Sequence, residues 1–333
     1  MPELPEVQTV ADDLNQKIKG DVITDFWSEW PKAIKGKSLA EFSKEIVGRK
    51  ILGARRIGKN IFIDLSGDKT LYIHLKMTGH LLVKPAKSKI QNPNVKSNPK
   101  SKNYFEDKVN QYIRHKWYLT DTKLRNIDES TNKKSNVIKN FVDSNSYLPD
   151  RQAFVGSHRY DKVIEFSDVR KFAKIVLDDT EKIAELKEIK ALGVDAVSQE
   201  FTFQKFDEIL DQKKNALVGI LLMEQNLIAG IGNIYRSEIL FDAGILPARK
   251  AADISKVERK KLYKVIGKIL KKAIEMRGTS DSDYRDTDGA PGGFQKVLQV
   301  YRKAGEKCKK CDTMIERKTI GQRGVFFCPK CQK

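Results

Sequence analysis

The chain has 333 residues, of which 40% are hydrophobic and 8% aromatic, a composition that supports a folded core and excludes a wholly disordered protein. Lysine and arginine number 63 against 44 aspartates and glutamates, and the net charge of +19 favours an acidic partner, most often nucleic acid. A protein that is merely lysine-rich is the alternative. The longest apolar stretch, Ala216–Met223, is far shorter than the roughly 20 residues of a membrane span, and the N-terminus lacks the features of a signal peptide. We therefore expect an intracellular protein with no membrane partner.

The first half of the chain is predicted to be β-rich, behind one N-terminal helix. Residues 5–19 carry apolar residues at helical spacing, and Gly20 is a suitable helix end. Alternating or short apolar runs predict strands at Ile46–Arg56, Ile61–Leu65, Leu71–Leu75, Tyr112–Leu119, Lys162–Phe166 and Phe172–Leu177. Two polar stretches without apolar periodicity, near residues 86–110 and 121–157, are predicted to be insertions.

From about residue 180 the pattern changes to helices. They are predicted at Phe203–Leu210, Ala216–Met223, Ile234–Ala243 and residues 255–276, with a glycine-containing break at Gly230–Asn233. The chain is thus predicted to be an α+β protein in three parts. These are a β-rich domain with the insertions (1–180), a helical domain (181–297) and a small C-terminal unit (298–333).

All four cysteines lie in the C-terminal unit, in two C-x2-C pairs formed by Cys308, Cys311, Cys328 and Cys331. This spacing is typical of a zinc ribbon, in which each pair supplies two sulfurs to a tetrahedral site. The residues between the pairs have room for a hairpin, with Met314–Lys318 and Val325–Phe327 as strands and Gly321–Gly324 as the turn. Two disulfides are the alternative, but they fit a secreted protein better. We predict one structural Zn²⁺, because four cysteines leave no open position for a substrate.

The N-terminus carries a possible nucleophile. Removal of Met1 would expose the secondary amine of Pro2 beside a helix N-terminus, whose dipole opposes protonation of the amine. Such an amine attacks a sugar C1′ or an aldehyde to give an iminium ion. Glu3 and Glu6 lie one helical turn apart, so either could transfer protons in the same pocket. On these residues alone, ordinary helix capping by a Pro-Glu pair is the preferred interpretation.

Several motifs in the same order resemble those of the bacterial formamidopyrimidine-DNA glycosylase family. They are MPELPEVQTV, Arg55-Arg56-x-x-Lys59, His74-Leu-Lys-Met77-Thr-Gly79, Asp168-Val-Arg170-Lys171-Phe172, Gly230-Ile-Gly232-Asn233 and Val300-Tyr-Arg302-x-x-Gly305. The resemblance extends along the whole chain apart from the insertions. It implies a β-sandwich with a flanking catalytic helix, a helix–two-turn–helix domain and a C-terminal zinc ribbon, with DNA between the first part and the other two.

The resemblance implies a bifunctional enzyme of base excision repair, a DNA-formamidopyrimidine glycosylase and abasic-site lyase. Such an enzyme removes oxidised purines, 8-oxoguanine and formamidopyrimidines, and cleaves the strand by β,δ-elimination through a Schiff base. In the family's pattern Pro2 is the nucleophile, Glu3 the proton donor and acceptor, and Lys59 a hairpin residue at the DNA near the lesion. Glu6, one helical turn from Glu3, is expected to be a further active-site residue. For Lys59 alone, a solvated strand lysine is the alternative.

Three residues match the family's void-filling trio, namely Met77, Arg170 and Phe172. Extruding a nucleotide leaves a hole in the base stack and an orphaned base, and an apolar wedge can fill the hole. Arg170 would donate to the orphaned base. For Met77 and Phe172 the alternative is ordinary core packing.

Three further residues are expected to contact phosphate. Asn233 begins a helix behind two glycines, and backbone N–H groups at a helix N-terminus bind phosphate without base specificity. Arg323 lies in the ribbon turn, and His115 matches a phosphate-contacting histidine of the family. The alternatives are an ordinary helix–helix turn for Asn233 and a solvated turn residue for Arg323.

The partner implied by the resemblance is double-stranded DNA containing oxidised bases or abasic sites. Ala173 stands where family members usually have glycine, and the loop Thr279–Phe294, which covers the flipped base in the family, diverges. One alternative function is that of the endonuclease VIII branch, which prefers oxidised pyrimidines and begins Pro-Glu-Gly, whereas Leu4 favours the purine branch. Another is a non-catalytic binder of damaged DNA, which would not need the Pro2-Glu3 pair. We further expect a monomer that is cytoplasmic and associated with the bacterial nucleoid.

Overall fold

The computed structural model describes residues 1–86, 103–121, 160–281 and 283–333, so most of the two predicted insertions lies outside the described residues. The helices are α1 (Leu4–Ile18), α2 (Leu39–Ile46), α3 (Thr180–Ala184), α4 (Lys187–Lys190), α5 (Phe203–Gln212), α6 (Val218–Leu221), α7 (Asn233–Ala243) and α8 (Lys256–Glu275). The strands are β1 (Val22–Ser28), β2 (Ile51–Ile57), β3 (Asn60–Leu65), β4 (Lys69–His74), β5 (His80–Pro85), β6 (Ile113–Thr120), β7 (Lys162–Ser167), β8 (Lys174–Asp179), β9 (Val194–Asp195), β10 (Ile228–Ala229), β11 (Glu316–Ile320) and β12 (Arg323–Phe327). No described helix is both long enough and apolar enough to cross a membrane.

The N-terminal part is a sandwich of two four-stranded antiparallel sheets, with strand orders β1-β6-β7-β5 and β2-β3-β4-β8. Alternate side chains of a strand point to the same face, and in β6 this places Trp117 and Leu119 in the interior. The inward-facing residues of both sheets form one core together with apolar residues of α1.

Helix α1 joins the sandwich to the helical part. It begins with a capping box, in which the Glu3 backbone N–H donates to Glu6 at 2.7 Å, and Pro5 lies in the first turn, where its missing N–H costs nothing. Leu4 is buried in the helical core, whereas Val7, one turn later, is buried in the sandwich core. The start of the chain therefore lies at the junction of the two cores.

The helical part packs around α7 and α8 and carries the ribbon hairpin β11–β12. Helix α7 ends at Gly244, whose φ of 78° is the left-handed conformation that glycine adopts without strain. Helix α8 begins with a Ser255–Glu258 capping box. Helices α3 and α4 pack instead against the outer face of the second sheet. The domain boundaries at 180/181 and 297/298 stay predictions.

Predicted elements differ from the structure in four places. Ile46 ends a helix rather than beginning a strand, because Ser38 and Glu41 form a capping box and the apolar residues of Leu39–Ile46 follow helical spacing. Within Ala216–Met223 only Val218–Leu221 is helical, since the backbone there pairs with the segment near Arg249.

The predicted strand Phe172–Leu177 begins only at Lys174, because Phe172 lies in the turn before β8. In the ribbon the strands reach Ile320 and resume at Arg323, since Gly321 and Gln322 both adopt positive φ and form a tight two-residue turn.

Candidate active site and nucleic-acid interface

The carboxylate of Glu3 lies at the N-terminus of α7. Its Oε1 accepts the backbone N–H of Ile234 at 3.0 Å, and its Oε2 accepts that of Tyr235 at 3.4 Å. A Cβ on Gly232 would overlap the Glu3 carboxyl group, and one on Gly230 would overlap the Leu4 side chain. From the sequence, these glycines are expected only to let a phosphate approach the start of α7 closely. The structure gives them a second role, because they allow the start of α1 to dock on the start of α7.

Glu6 is fully buried behind Glu3. Its Oε1 accepts the Tyr235 hydroxyl and the backbone N–H of Thr279, the latter at 2.6 Å. Burial, and secondly repulsion by Glu3, raise the pKa of Glu6 to about 7. Glu6 can therefore bind or release a proton near neutral pH.

Lys59 reaches the same place from the sandwich side, on the two-residue turn between β2 and β3. Its Nζ donates to the Ile231 carbonyl at 2.9 Å, and the side chain is buried. Burial lowers the pKa of Lys59, while the charges of Glu3 and Glu6 oppose that shift. The solvated-lysine alternative does not fit this buried position.

Asp195 holds the Lys59 turn against the helical part. Its carboxylate accepts two bonds from the Arg56 guanidinium, at 2.5 and 2.9 Å, and one from the Gly58 backbone N–H at 2.7 Å. Asp195 could not be identified from the sequence, because its partner Arg56 lies 139 residues away and no local motif connects the two.

The three residues of the predicted wedge lie on two neighbouring loops that follow β4 and β7. Met77 is 38% exposed and Phe172 53% exposed, and the Arg170 guanidinium lies 5.0 Å from the Phe172 ring centre. Asp168 ties the loops together by accepting the Thr78 hydroxyl at 2.5 Å and the Ala173 backbone N–H at 3.0 Å. The exposure of Met77 and Phe172 does not fit the core-packing alternative.

Asn233 and Arg323 are linked through a buried arginine that sequence reasoning missed. The Arg236 guanidinium donates to the Asn233 side-chain oxygen, to the Gly219 carbonyl at 2.8 Å, and at 3.4 Å to the carbonyl of Gly324. Arg323 itself is exposed on the ribbon hairpin. Arg236 thus joins the start of α7 to the ribbon turn.

His115 does not fit the predicted phosphate contact. It lies on the inward face of β6 and is completely buried, with its ring against those of Phe26, Trp117 and Phe166. Burial lowers the pKa of His115 to about 4, so the ring stays neutral at physiological pH. A neutral ring in the core has no access to DNA.

The four cysteines form one cluster in which their sulfur atoms lie within 4.8 Å of one another. The Sγ–Sγ distances of 3.9 Å for Cys308–Cys331 and 3.5 Å for Cys311–Cys328 are too long for disulfides, whose sulfurs lie about 2.05 Å apart. They match the edge of about 3.8 Å expected for a tetrahedron of thiolates around zinc at about 2.3 Å. These residues hold one structural zinc ion.

Models of known families match three segments of the chain. Residues 1–127 match the formamidopyrimidine-DNA glycosylase N-terminal domain, residues 192–285 the formamidopyrimidine-DNA glycosylase H2TH domain, and residues 305–333 a zinc finger found in FPG and IleRS.

Curated relatives match over the whole length. The chain is 34% identical to the formamidopyrimidine-DNA glycosylase of Carboxydothermus hydrogenoformans, with 100% of both chains covered. It is also 34% identical to that of Pelotomaculum thermopropionicum, covering 100% of this chain and 99% of the relative.

The fold is also similar to solved complexes of the Lactococcus lactis Fpg, each at 27% identity. The complex with DNA containing an abasic site gives a TM-score of 0.73 over 99% of both chains. The complex with DNA containing Fapy-dG gives 0.72 over 99% of this chain and 100% of the other, and one with DNA containing an oxidised pyrimidine gives 0.72 over 100% of both.

Proposed function

Because this chain belongs to the formamidopyrimidine-DNA glycosylase family, whose members are DNA glycosylases of base excision repair, we propose that it excises oxidised purines and then cleaves the strand through a Schiff base at Pro2. The observation that carries the proposal is the meeting of Glu3, Glu6 and Lys59 beside Pro2, where α1, α7 and the β2–β3 turn come together. The solved complexes of the relative with abasic-site and Fapy-dG DNA support the choice of substrate.

The proposed reaction begins when removal of Met1 frees the Pro2 amine. The amine nitrogen bonds to C1′ as the N-glycosyl bond breaks, and the base leaves with a proton. The nitrogen then loses its own proton, the C1′–O4′ bond opens with proton uptake at O4′, and an iminium ion results. Loss of a C2′ proton expels the 3′-phosphate by β-elimination, and a second elimination expels the 5′-phosphate.

The two carboxyl groups have separate parts in this proposal. Glu3 is oriented by two backbone N–H groups of α7, so its carboxyl group is held in place to give the O4′ proton. Glu6 is buried behind it and accepts the Glu3 backbone N–H, which keeps the start of α1 in position. Lys59 supplies a cation between these carboxylates and the DNA.

The exposed side chains account for binding to a damaged duplex. Met77 and Phe172 would fill the space left by an extruded nucleotide, and Arg170 would donate to the orphaned base. Asn233 and Arg323 would contact the phosphate backbone, with the net charge of +19 adding long-range attraction. We further propose that the protein acts as a monomer in the bacterial cytoplasm, associated with the nucleoid.

Excision of oxidised pyrimidines is the second candidate, because one solved complex of the relative contains an oxidised pyrimidine. Leu4 favours purines as the preferred class, since the pyrimidine branch resembles this chain but begins Pro-Glu-Gly. Comparing excision of 8-oxoguanine and thymine glycol from matched duplexes separates the two preferences.

Borohydride trapping tests the proposal directly. Protein lacking Met1 is mixed with a duplex containing 8-oxoguanine opposite cytosine, and a stable protein–DNA adduct is expected. The adduct should be lost in Pro2→Gly and in protein that retains Met1, while both still bind the duplex. Tight binding without an adduct on any lesion duplex would instead support the non-catalytic binder.

A further inference from the structure

A loop between α8 and the ribbon forms one wall of the candidate active site. We call it the cover loop and define it as residues 277–281 and 283–290. Its Thr279 N–H donates to the Glu6 carboxylate at 2.6 Å, and its Tyr284 hydroxyl donates to the Glu6 carbonyl at 3.4 Å. The cover loop therefore lies next to the place where an extruded nucleotide must meet the N-terminal residues.

The base of the cover loop is held by α1. Arg277 donates to both carboxylate oxygens of Asp13, at 3.1 and 2.6 Å, and pairs with Asp286 at 2.8 Å. The Thr287 hydroxyl donates to the same Asp13 at 2.7 Å. These contacts hold the Arg277 end of the loop and its Asp286–Thr287 portion against α1.

The outer side of the loop is held by the end of the first predicted insertion. We call residues 103–111 the stem; they form two short 3-10 turns before β6. Arg285 donates through Nε and Nη2 to one carboxylate oxygen of Asp107, at 3.1 and 2.8 Å. The Asn110 side-chain N–H donates to the Gly289 carbonyl at 3.1 Å.

The stem is itself a fixed support. Asn110 is completely buried, and its side-chain oxygen lies 2.8 Å from the His80 ring nitrogen. The Ser167 hydroxyl at the end of β7 donates to the Val109 carbonyl at 2.8 Å. Gly289 has a φ of 76°, and a Cβ there would lie 2.7 Å from the Asn110 side chain, so the loop and the stem fit without space between them.

We propose that the stem is a specificity-determining element, which holds the cover loop in the position where it lines the pocket for the extruded base. The inference rests on the proposed glycosylase function. A flipped base is recognised by the walls of its pocket, and a wall held in place before binding has no ordering cost to overcome. An abasic nucleotide has no base to meet this wall, so the stem affects base excision and leaves cleavage of abasic DNA unchanged.

Two variants of the ion pair test the proposal, Asp107→Asn and Arg285→Gln. Asparagine at 107 can still cap the Val109 N–H, which Asp107 now accepts at 3.3 Å, so the stem turn is kept. Single-turnover excision of 8-oxoguanine should fall about fivefold in each variant, the size expected for loss of one well-formed ion pair. Cleavage of a duplex with a preformed abasic site should stay within about twofold of the unaltered protein.

Arg249→Gln is the matched control. It removes another two-bond arginine–carboxylate pair, with Glu258 at 2.5 and 3.1 Å, in the helical part. Side-chain exposures are 21% and 33% in that pair, against 13% and 32% for Arg285 and Asp107. The control should change neither reaction.

Gly289→Ala is an independent variant that leaves the ion pair in place and displaces the loop from Asn110. It should lower excision more than abasic-site cleavage. Excision at the unaltered rate in all three variants, or an equal fall of both reactions, would overturn the proposal. If the unaltered protein gives no borohydride adduct, the glycosylase function itself fails, so the two failures are distinguishable.

Discussion

The Glu3 carboxylate accepts the backbone N–H of Ile234 at 3.0 Å, so the residue that begins α1 also caps the start of α7. A single side chain thereby joins the N-terminus to the helix that begins with Asn233. The distance between the proposed nucleophile and the proposed phosphate site is set by this contact rather than by either domain alone. Substitutions that disturb it should affect chemistry more than stability.

Gly232→Ala is predicted to disable the enzyme because its new Cβ would overlap the Glu3 carboxyl group. Displacing a general acid–base residue costs about 100-fold or more in rate. Gly267→Ala is the matched control, since that helical glycine has nothing within 4 Å of an added Cβ. The control should keep full activity and gain about 0.5–1 kcal/mol of stability. Single-turnover excision and thermal unfolding of both variants check the prediction, and equal activities would contradict it.

Glu6 predicts a specific pH dependence of folding stability. Its pKa is raised from 4.5 to about 7 in the folded protein, so the folded state holds a proton that the unfolded state has lost. The contribution of the Glu6 carboxyl group to the free energy of unfolding is therefore greatest below about pH 4.5. It falls as the pH rises to about 7 and is constant above that.

Glu6→Gln removes the titration. Between pH 5 and 8 the free energy of unfolding of the variant should rise relative to that of the unaltered protein, by at most about 3 kcal/mol. A difference between the two proteins that is the same at every pH does not affect this comparison. Denaturant unfolding of proteins that retain Met1 measures this, because the Pro2 nitrogen then does not titrate. Parallel stability curves for the two proteins would contradict the raised pKa.

Removal of zinc should impair DNA binding while the helical core stays folded. Phe241, Val300 and Ile315 pack around the cysteine cluster, apart from the larger core of α5–α8. Mercurial titration should release one zinc ion per chain, as measured by a colorimetric chelator. Duplex affinity should then fall about tenfold or more, because Arg323 loses its support. Unchanged affinity after full release would show that the ribbon does not contribute to binding.

Arg236 and Arg323 should respond differently to substitution. Arg323 is exposed, so Arg323→Ala should weaken binding and reduce the magnitude of the salt slope by about 1, without changing the melting temperature. Arg236 is buried between Gly219, Asn233 and the ribbon turn, so Arg236→Lys should lower both affinity and melting temperature. Binding isotherms at several salt concentrations, with thermal unfolding, separate the two effects. A melting temperature unchanged in Arg236→Lys would contradict the bridging role.

Phe172→Ala should lower excision without destabilising the fold. The side chain is 53% exposed, and exposed substitutions usually change stability by less than about 0.5 kcal/mol. Loss of the wedge should slow excision about tenfold, because filling the vacated stack offsets a few kcal/mol of unstacking. Val257→Ala, at a position 78% exposed on α8, is the control and should be silent in both assays. Excision that is unaffected by Phe172→Ala would remove the wedge assignment.

The elements with strong local signals could be predicted from the sequence. Their signals are carried by residues that lie close together in the chain. Examples are the apolar spacing of α1, the strands around Ile61 and Leu71, and the two cysteine pairs. Helix α2 was missed because its capping box, Ser38 and Glu41, lies in a stretch interpreted as strands.

Long-range partners could not be predicted in this way. Asp195 and Arg236 have their roles only because the fold brings distant backbone groups to them. His115 is a different case, because strand periodicity alone places it on the same inward face as Trp117 and Leu119. The alternation indicated burial there, whereas the motif comparison indicated a DNA contact, and the structure agrees with the alternation.

The position of Pro2 has a consequence for the order of events during synthesis. Pro2 is buried in the finished fold, and its neighbour Glu3 contacts a segment near residue 234 that the ribosome makes much later. At about 5–20 residues per second, that segment follows the N-terminus by on the order of 10–50 s. Throughout this interval Met1 and Pro2 belong to an unfinished chain and are open to an aminopeptidase. Removal of Met1 can thus be completed on the nascent chain, before the fold that buries Pro2 has formed.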